Sequence, residues 1–184
     1  MLLKMSQLDT DRLQLREFRP TDLAGVSSWE GLAHAEKFLE FCFQSYLEWG
    51  MGPWAMLLKE SGTIAGSCGF CRISYERDGE MLEYMGEVNY YVAPQHRGQG
   101  LATEALDAVL KFGFDDIKLT RIQARCAAEN VSSERVMLKA GLRFEQMIAD
   151  ASTASAQQRL HAISREDFNK RISLPRPNLP ETGI

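Results

Sequence analysis

Apolar and polar residues change their period along this chain, and the changes divide it into elements. Residues 12–18 (RLQLREF) alternate, with Leu13 and Leu15 on one face, which predicts a half-buried strand. In "RPTDL", Thr21 or Asp22 offers a cap for a short helix running toward Trp29. From about 32 to 49 the period lengthens. Ala35, Phe38, Leu39, Cys42, Tyr46 and Trp49 fall at i, i+3, i+4, i+7, i+11 and i+14, one stripe of an amphipathic helix that Gly50-Met51-Gly52-Pro53 stops. Strands follow at 54–59 and 64–74, split by the hairpin-like turn "ESGT". "YERDGEML" reads as a polar loop. Residues 83–92 form another strand, with Val88, Tyr90 and Val92 on one face and Glu87, Asn89 and Tyr91 on the other. A helix from about 100 to 114 turns Leu106, Val109 and Leu110 inward. Residues 121–126 alternate strictly as a strand. A short helix at about 131–140 ends at Gly141, and two weaker strands, about 143–149 and 158–164, close the pattern. The proline-rich segment "SLPRPNLPETGI" (173–184) reads as a loose tail behind a single domain, 1–172.

The order is therefore β, α, α, several β, α, β, α, β, β. This is a mixed α/β chain with a hairpin-built first half, and it lacks the alternating units of a doubly wound nucleotide fold. With 184 residues, 45% of them hydrophobic, one core suffices. The net charge of -4 argues against a nucleic-acid surface. Three histidines without a His/Cys cluster argue against a metal. No run of about 20 apolar residues exists, so no membrane span is expected. The first residues lack the apolar core and cleavage site of a signal peptide, which points to the cytoplasm. Four sparse cysteines fit reduced thiols there. Cys68-Gly-Phe-Cys71 has the C-x-x-C spacing, but residues three apart on a strand face opposite ways, which favours packing over redox or zinc chemistry.

The segment "APQHRGQGLATEAL" (93–106) carries the clearest chemistry. A loop between a strand and a helix start presents unpaired N–H groups, and the helix dipole adds partial positive charge. Glycine lets the backbone approach a ligand closely and take positive φ. Such a loop holds an anion, most naturally a phosphate or pyrophosphate. Gly98 and Gly100 stand too close for a Walker A loop, and no Lys-Ser/Thr follows. A dinucleotide fingerprint needs a third glycine where Thr103 stands.

What remains is Gln95-x-x-Gly98-x-Gly100, and here the chain resembles the GNAT superfamily of acyl-CoA-dependent N-acyltransferases, whose acetyl-CoA motif is [QR]-x-x-G-x-[GA]. "TDRLQLREFRPTDL", "GEVNYYVAPQHRGQGLATEAL" and "RIQARCAAENVSSERVMLKAGLRFE" look like the opening, central and following motifs of its ribosomal-protein N-terminal acetyltransferase (Rim-type) branch, over about residues 9 to 170. The resemblance implies a mostly antiparallel twisted sheet of about seven strands, splayed at its centre and flanked by about four helices. It implies acetyl-CoA as co-substrate, no metal, and transfer to a primary amine in a ternary complex. That amine would belong to a protein N-terminus. A small-molecule amine is the alternative, as is a non-catalytic acyl-CoA-binding module. Such a protein would be a monomer or homodimer.

The resemblance also implies roles. Backbone N–H groups of Arg97, Gly98, Gln99, Gly100, Leu101 and Ala102 would hold the CoA pyrophosphate, with the Thr103 hydroxyl beside them. The Arg97 side chain could be merely solvated. Tyr91 and Val92 would pair by backbone with the pantetheine arm. Asn130 would touch that arm or cap the next helix. Ser133 would sit near the departing thiolate, as hydrogen-bond or proton donor, or be a plain surface serine. Many relatives carry an acid tyrosine four residues later, where this chain has Met137. A protonated amine cannot attack a thioester, and a lysine ammonium near about 10.4 needs more help than an α-amino group at about 7.7–8.0. Glu87 is the candidate base, acting through water; its alternative is a structural carboxylate paired with an arginine. The acidic stretch Glu76, Asp78, Glu80, Glu83 and Glu87 would favour a cationic acceptor if it rims the site, or is simply a solvated loop. The helix at 32–49 and the 145–160 segment would shape the acceptor groove.

Overall fold

A computed structural model describes residues 5–78, 81–149 and 157–173. Strands β1 (Leu8–Asp9) and β2 (Leu13–Glu17) lead to helices α1 (Leu23–Glu30) and α2 (Leu32–Trp49). Strands β3 (Pro53–Leu58), β4 (Ile64–Asp78) and β5 (Met81–Val92) follow, then α3 (Leu101–Asp115), β6 (Arg121–Ala127), α4 (Val131–Lys139), β7 (Arg143–Ala149), β8 (Gln157–Ser164) and α5 (Arg165–Ser173). The eight strands form one sheet in the order β1-β2-β3-β4-β5-β6-β8-β7. Every pairing is antiparallel except β5 with β6.

Strand alternation sends side chains to two layers. Leu13, Leu15, Trp54 and Ile122 pack with Leu106, Val109 and Leu110 of α3, Met137 of α4 and Phe168 of α5 in the larger core. Ala55 and Ile64 pack with Val26 of α1 and Ala35, Leu39 and Cys42 of α2 in the smaller one. Helices thus cover both faces of the sheet, and the site lies where β5 passes between them. Among the described residues no helix is long and apolar enough to cross a membrane.

Four expectations need correction. "YERDGEML" is not a loop: β4 and β5 stay paired out to Asp78↔Met81. Antiparallel main-chain bonding does not require an apolar face, so periodicity gave no sign of it. Asp22 stands before α1 without capping it. Its buried carboxylate instead accepts from Arg16 Nη1 and Nη2 at 2.8 and 2.9 Å and from the Arg19 N–H at 2.8 Å. Trp49 is 45% exposed, because the stripe has drifted about 40° round the helix by i+14. A fifth helix, α5, follows β8 directly. The Ser164 hydroxyl accepts from the Asp167 N–H at 3.1 Å, which caps its first turn. Most of the proline-rich tail, and residues 150–156 of the 145–160 segment, lie outside the described residues.

Candidate active site

The glycine loop follows a turn of 3-10 helix, Pro94–His96, and leads straight into α3. Gly98 and Gly100 take φ of +75° and +78°, the left-handed region where a side chain is strained. The first α3 bond runs from Glu104 N–H to Gly100 O at 3.1 Å, so the N–H groups of Leu101, Ala102 and Thr103 precede the helical ladder. They point out of the helix start, at the positive end of its dipole. The Arg97 N–H, by contrast, is turned back onto Pro94 O at 3.3 Å. The donor cluster therefore begins at Gly98 rather than at Arg97.

A brace from the turn between β1 and β2 holds this loop. Arg12 Nη1 donates to Gln99 O at 2.8 Å, and Arg12 Nε to Glu104 Oε2 at 2.7 Å. The Arg12 N–H and the Thr10 hydroxyl both donate to Glu104 Oε1, at 2.8 and 2.6 Å. A carboxylate in the first turn of α3 would otherwise repel an anion bound there. Burial would raise the Glu104 carboxyl, but the hydrogen bonds from Thr10 and Arg12 outweigh it and hold the group below the usual carboxylate range. Its charge is spent on the brace.

Beside the loop the sheet opens. β5 pairs with β6 only over Met85↔Arg121, Gly86↔Ile122 and Glu87↔Gln123. Beyond Glu87, β5 continues with β4 to Val92, while β6 continues with β8 to Ala127. A bulge in β4 between Phe70 and Arg72 stands at the same level. Bulges bend and twist a strand, which accounts for the divergence starting there. Alternation of the bond pattern decides which main-chain groups face the gap. The Ala93 N–H donates to Ala65 O, and a Cβ on Gly66 would strike the Tyr91 carbonyl at 2.1 Å, so positions 91 and 93 face β4. Tyr90 and Val92 face the gap. Of the two residues expected to offer backbone bonds there, the geometry fits Val92 and not Tyr91. The Arg97 side chain is not merely solvated: its Nε donates to Val92 O at 2.9 Å, and its guanidinium lies 5.5 Å from the Tyr91 ring centre.

Glu87 lies at the apex of the gap. Its Oε2 accepts from Arg125 Nη2 at 2.6 Å and from Gln123 Nε2 at 3.2 Å, both from β6. The carboxylate thus has the arginine partner its structural reading requires, and 18% of its side chain remains open to solvent. Side chains of Glu76, Asp78, Glu80 and Glu83 lie outside the described residues. Across the gap, Asn130 caps α4: its Oδ1 accepts from the Ser133 N–H at 3.0 Å and the Ser132 hydroxyl at 2.9 Å. Only the Nδ2 end of that side chain is not engaged in the cap. Met137 is buried in the main core, so the position of the relatives' tyrosine holds a packing residue here. The cysteines are free. Cys71 reaches toward Glu87 O at 3.4 Å, and burial, with the Glu87 charge adding, pushes its thiol up to about 11. It is a thiol at neutral pH and a poor nucleophile.

One residue that the sequence reading left in the core belongs to this site. The Tyr90 hydroxyl crosses from β5 to α4 and lies 2.7 Å from Ser133 O and 2.8 Å from Ser133 Oγ. A phenol has one proton. Once it goes to the carbonyl, the serine hydroxyl donates to the phenol oxygen, and both stay oriented. Burial pushes the Tyr90 phenol up, so it stays protonated. A tyrosine on an otherwise apolar strand face was the available signal, since a buried phenol needs a partner. Tyr90→Phe should cost about 1 kcal/mol of stability and lower kcat severalfold with acetyl-CoA KM unchanged. Wild-type kcat in that variant would separate the pair from turnover.

Comparison with known proteins agrees with this layout. Residues 12–143 match the model of the acetyltransferase (GNAT) domain. The chain is 23% identical to the uncharacterised N-acetyltransferase p20 of Bacillus licheniformis over 168 residues, covering 83% of this chain and 91% of that protein. It is 29% identical over 102 residues to the ribosomal-protein-serine acetyltransferase of Escherichia coli, covering 55% and 53% of the two chains. Mycobacterium smegmatis RimJ, solved with CoA-disulfide, shares the fold at a TM-score of 0.71 and 22% identity, over 93% of this chain and 95% of that one.

Proposed function

We infer that this chain, which belongs to the GNAT family of acetyltransferases, moves an acetyl group from acetyl-CoA to a primary amine by direct attack in a ternary complex. One observation carries the reading: the N–H cluster at the start of α3 opens beside the gap between β5 and β6. A pyrophosphate on the N–H groups of Gly98 to Thr103 would send its pantetheine arm along Val92 toward Glu87 and Ser133. RimJ of M. smegmatis, which shares the fold, was solved with a CoA derivative. The Asn130 amide would donate to the arm.

The chemistry then divides among this chain's residues. Glu87 takes the proton of the amine through water, and the freed lone pair forms the C–N bond at the thioester carbon. The C–S bond breaks, and the CoA thiolate collects a proton from Ser133 or from water. With Met137 at the usual tyrosine position, the Tyr90–Ser133 pair supplies hydroxyls at the α4 side of the gap for that role. The E. coli relative is a ribosomal-protein-serine acetyltransferase, which supports a protein chain as acceptor, here through its α-amino group. Such an amine needs less help to lose its proton than a lysine does.

Initial rates measured at several concentrations of acetyl-CoA and amine test the reading. Direct transfer predicts intersecting lines and no CoA release before amine is added. Parallel lines with a burst of CoA would point to an acyl-enzyme and overturn it.

A further inference from the structure

A cavity of about 350 Å³ lies between α1, α2 and the β4–β5 pair, against the β5 face that carries Glu87. Trp29, Phe38, Phe41 and Tyr91 line it with rings, and Asn89, two residues along β5 from Glu87, adds a polar point beside Ser67 and Cys71. Trp29 and Tyr91 stack at 5.5 Å. Among the described residues that line it there is no carboxylate, lysine or arginine. The Arg97 guanidinium lies 5.5 Å from the Tyr91 ring centre, and the Glu87 carboxylate on the same β5 face is paired with Arg125.

We propose that this cavity is the acceptor site and selects a primary amine carried on a compact apolar body, aromatic or branched, with no second positive charge. The proposal rests on the transferase reading above and specifies its acceptor. The volume is at the lower end of pockets that enclose a small molecule or one large side chain. Rings bury apolar surface well, whereas a second ammonium would be desolvated with no carboxylate among the described wall residues to receive it. Arg97, beside the Tyr91 ring, repels a second cation at that end of the cavity. An amine entering beside Asn89 meets the face of β5 on which Glu87 stands. An arylalkylamine and the first residue of a peptide with a large apolar side chain both present this chemistry.

The test compares kcat/KM for four amines: 2-phenylethylamine, a tripeptide beginning with phenylalanine, the same tripeptide beginning with serine, and spermidine. Either aromatic amine should exceed the serine peptide and spermidine by at least about tenfold. The better of the two identifies the source. Phe41 is 41% exposed, so Phe41→Glu should leave the fold intact while shifting the preference toward spermidine. Equal or better use of spermidine or the serine peptide by the wild type overturns the cavity assignment and leaves the transferase reading standing. Absence of CoA release with every amine overturns the transferase reading instead. Calorimetric titration of the CoA-loaded protein then decides the cavity alone: it requires 2-phenylethylamine to bind more tightly than spermidine, and the reverse order refutes it.

Discussion

Gly100→Trp should weaken acetyl-CoA binding at least about a hundredfold while the protein stays folded. The residue lies at φ +78°, so any side chain there costs about 1–2 kcal/mol in backbone strain. Space around it is not the obstacle, since an added Cβ would meet only Arg12 Nη2 at 3.6 Å. An indole projecting from this point would instead stand over the N–H groups of Leu101, Ala102 and Thr103. Two hydrogen bonds to an anion, lost at about 1.5 kcal/mol each, amount to roughly two orders of magnitude in Kd. Gly98→Ala is the control. Nothing lies within 4 Å of its added Cβ, so it should show the strain alone and a much smaller loss of affinity. Isothermal titration measures both. Affinity within about threefold of wild type in a folded Gly100→Trp protein would mean that the pyrophosphate sits elsewhere.

Glu87→Gln should lower kcat about a hundredfold near neutral pH and leave the acetyl-CoA Kd unchanged. The substitution keeps the size of the side chain and removes the charge that Arg125 and Gln123 hold in place. If Glu87 is the base, the variant depends on the amine losing its proton unaided. Its deficit should then shrink as pH rises toward the pKa of the acceptor. If the carboxylate only anchors β6 to β5, the deficit should be the same at every pH and follow the loss of stability. A pH–rate profile beside a urea melt separates these, and Arg125→Met provides the comparison in which the anchor is lost but the carboxylate remains.

Much of this architecture could be read from residue patterns. The stripe at 32–49 and the inward face of α3 each bury a row at helical spacing against a sheet, so periodicity carries the information. The glycine loop was legible because glycine is required at two positive-φ positions next to a helix start. The misses share a cause: they rest on polar and main-chain bonding, which leaves no apolar period in the sequence. The far half of the β4–β5 ribbon is held by main-chain pairing, which leaves no apolar row. The brace from Thr10 and Arg12 reaches a carboxylate more than ninety residues away, and Tyr90 meets Ser133 at a separation of 43. Helix α5 is different. Ser164-Arg-Glu-Asp167 is a capping sequence that announces a helix, and the three prolines just beyond drew attention away from it.

The short junction between β5 and β6 bears on how the molecule holds together. A continuous sheet transmits order through its ladder, but here three residue pairs, the Glu87 bonds to Arg125 and Gln123 and the Tyr90–Ser133 link span the seam where the gap begins. The ladder is therefore thin at this seam, and the core shared beneath it joins β1 to β5 with β6 to β8. A pantetheine arm placed as proposed, bonding to Val92 on one bank and Asn130 on the other, would act as a missing strand. It would stitch the seam, so slow amide exchange spreading across β6 and β8 on acetyl-CoA binding is the expected fingerprint of that repair.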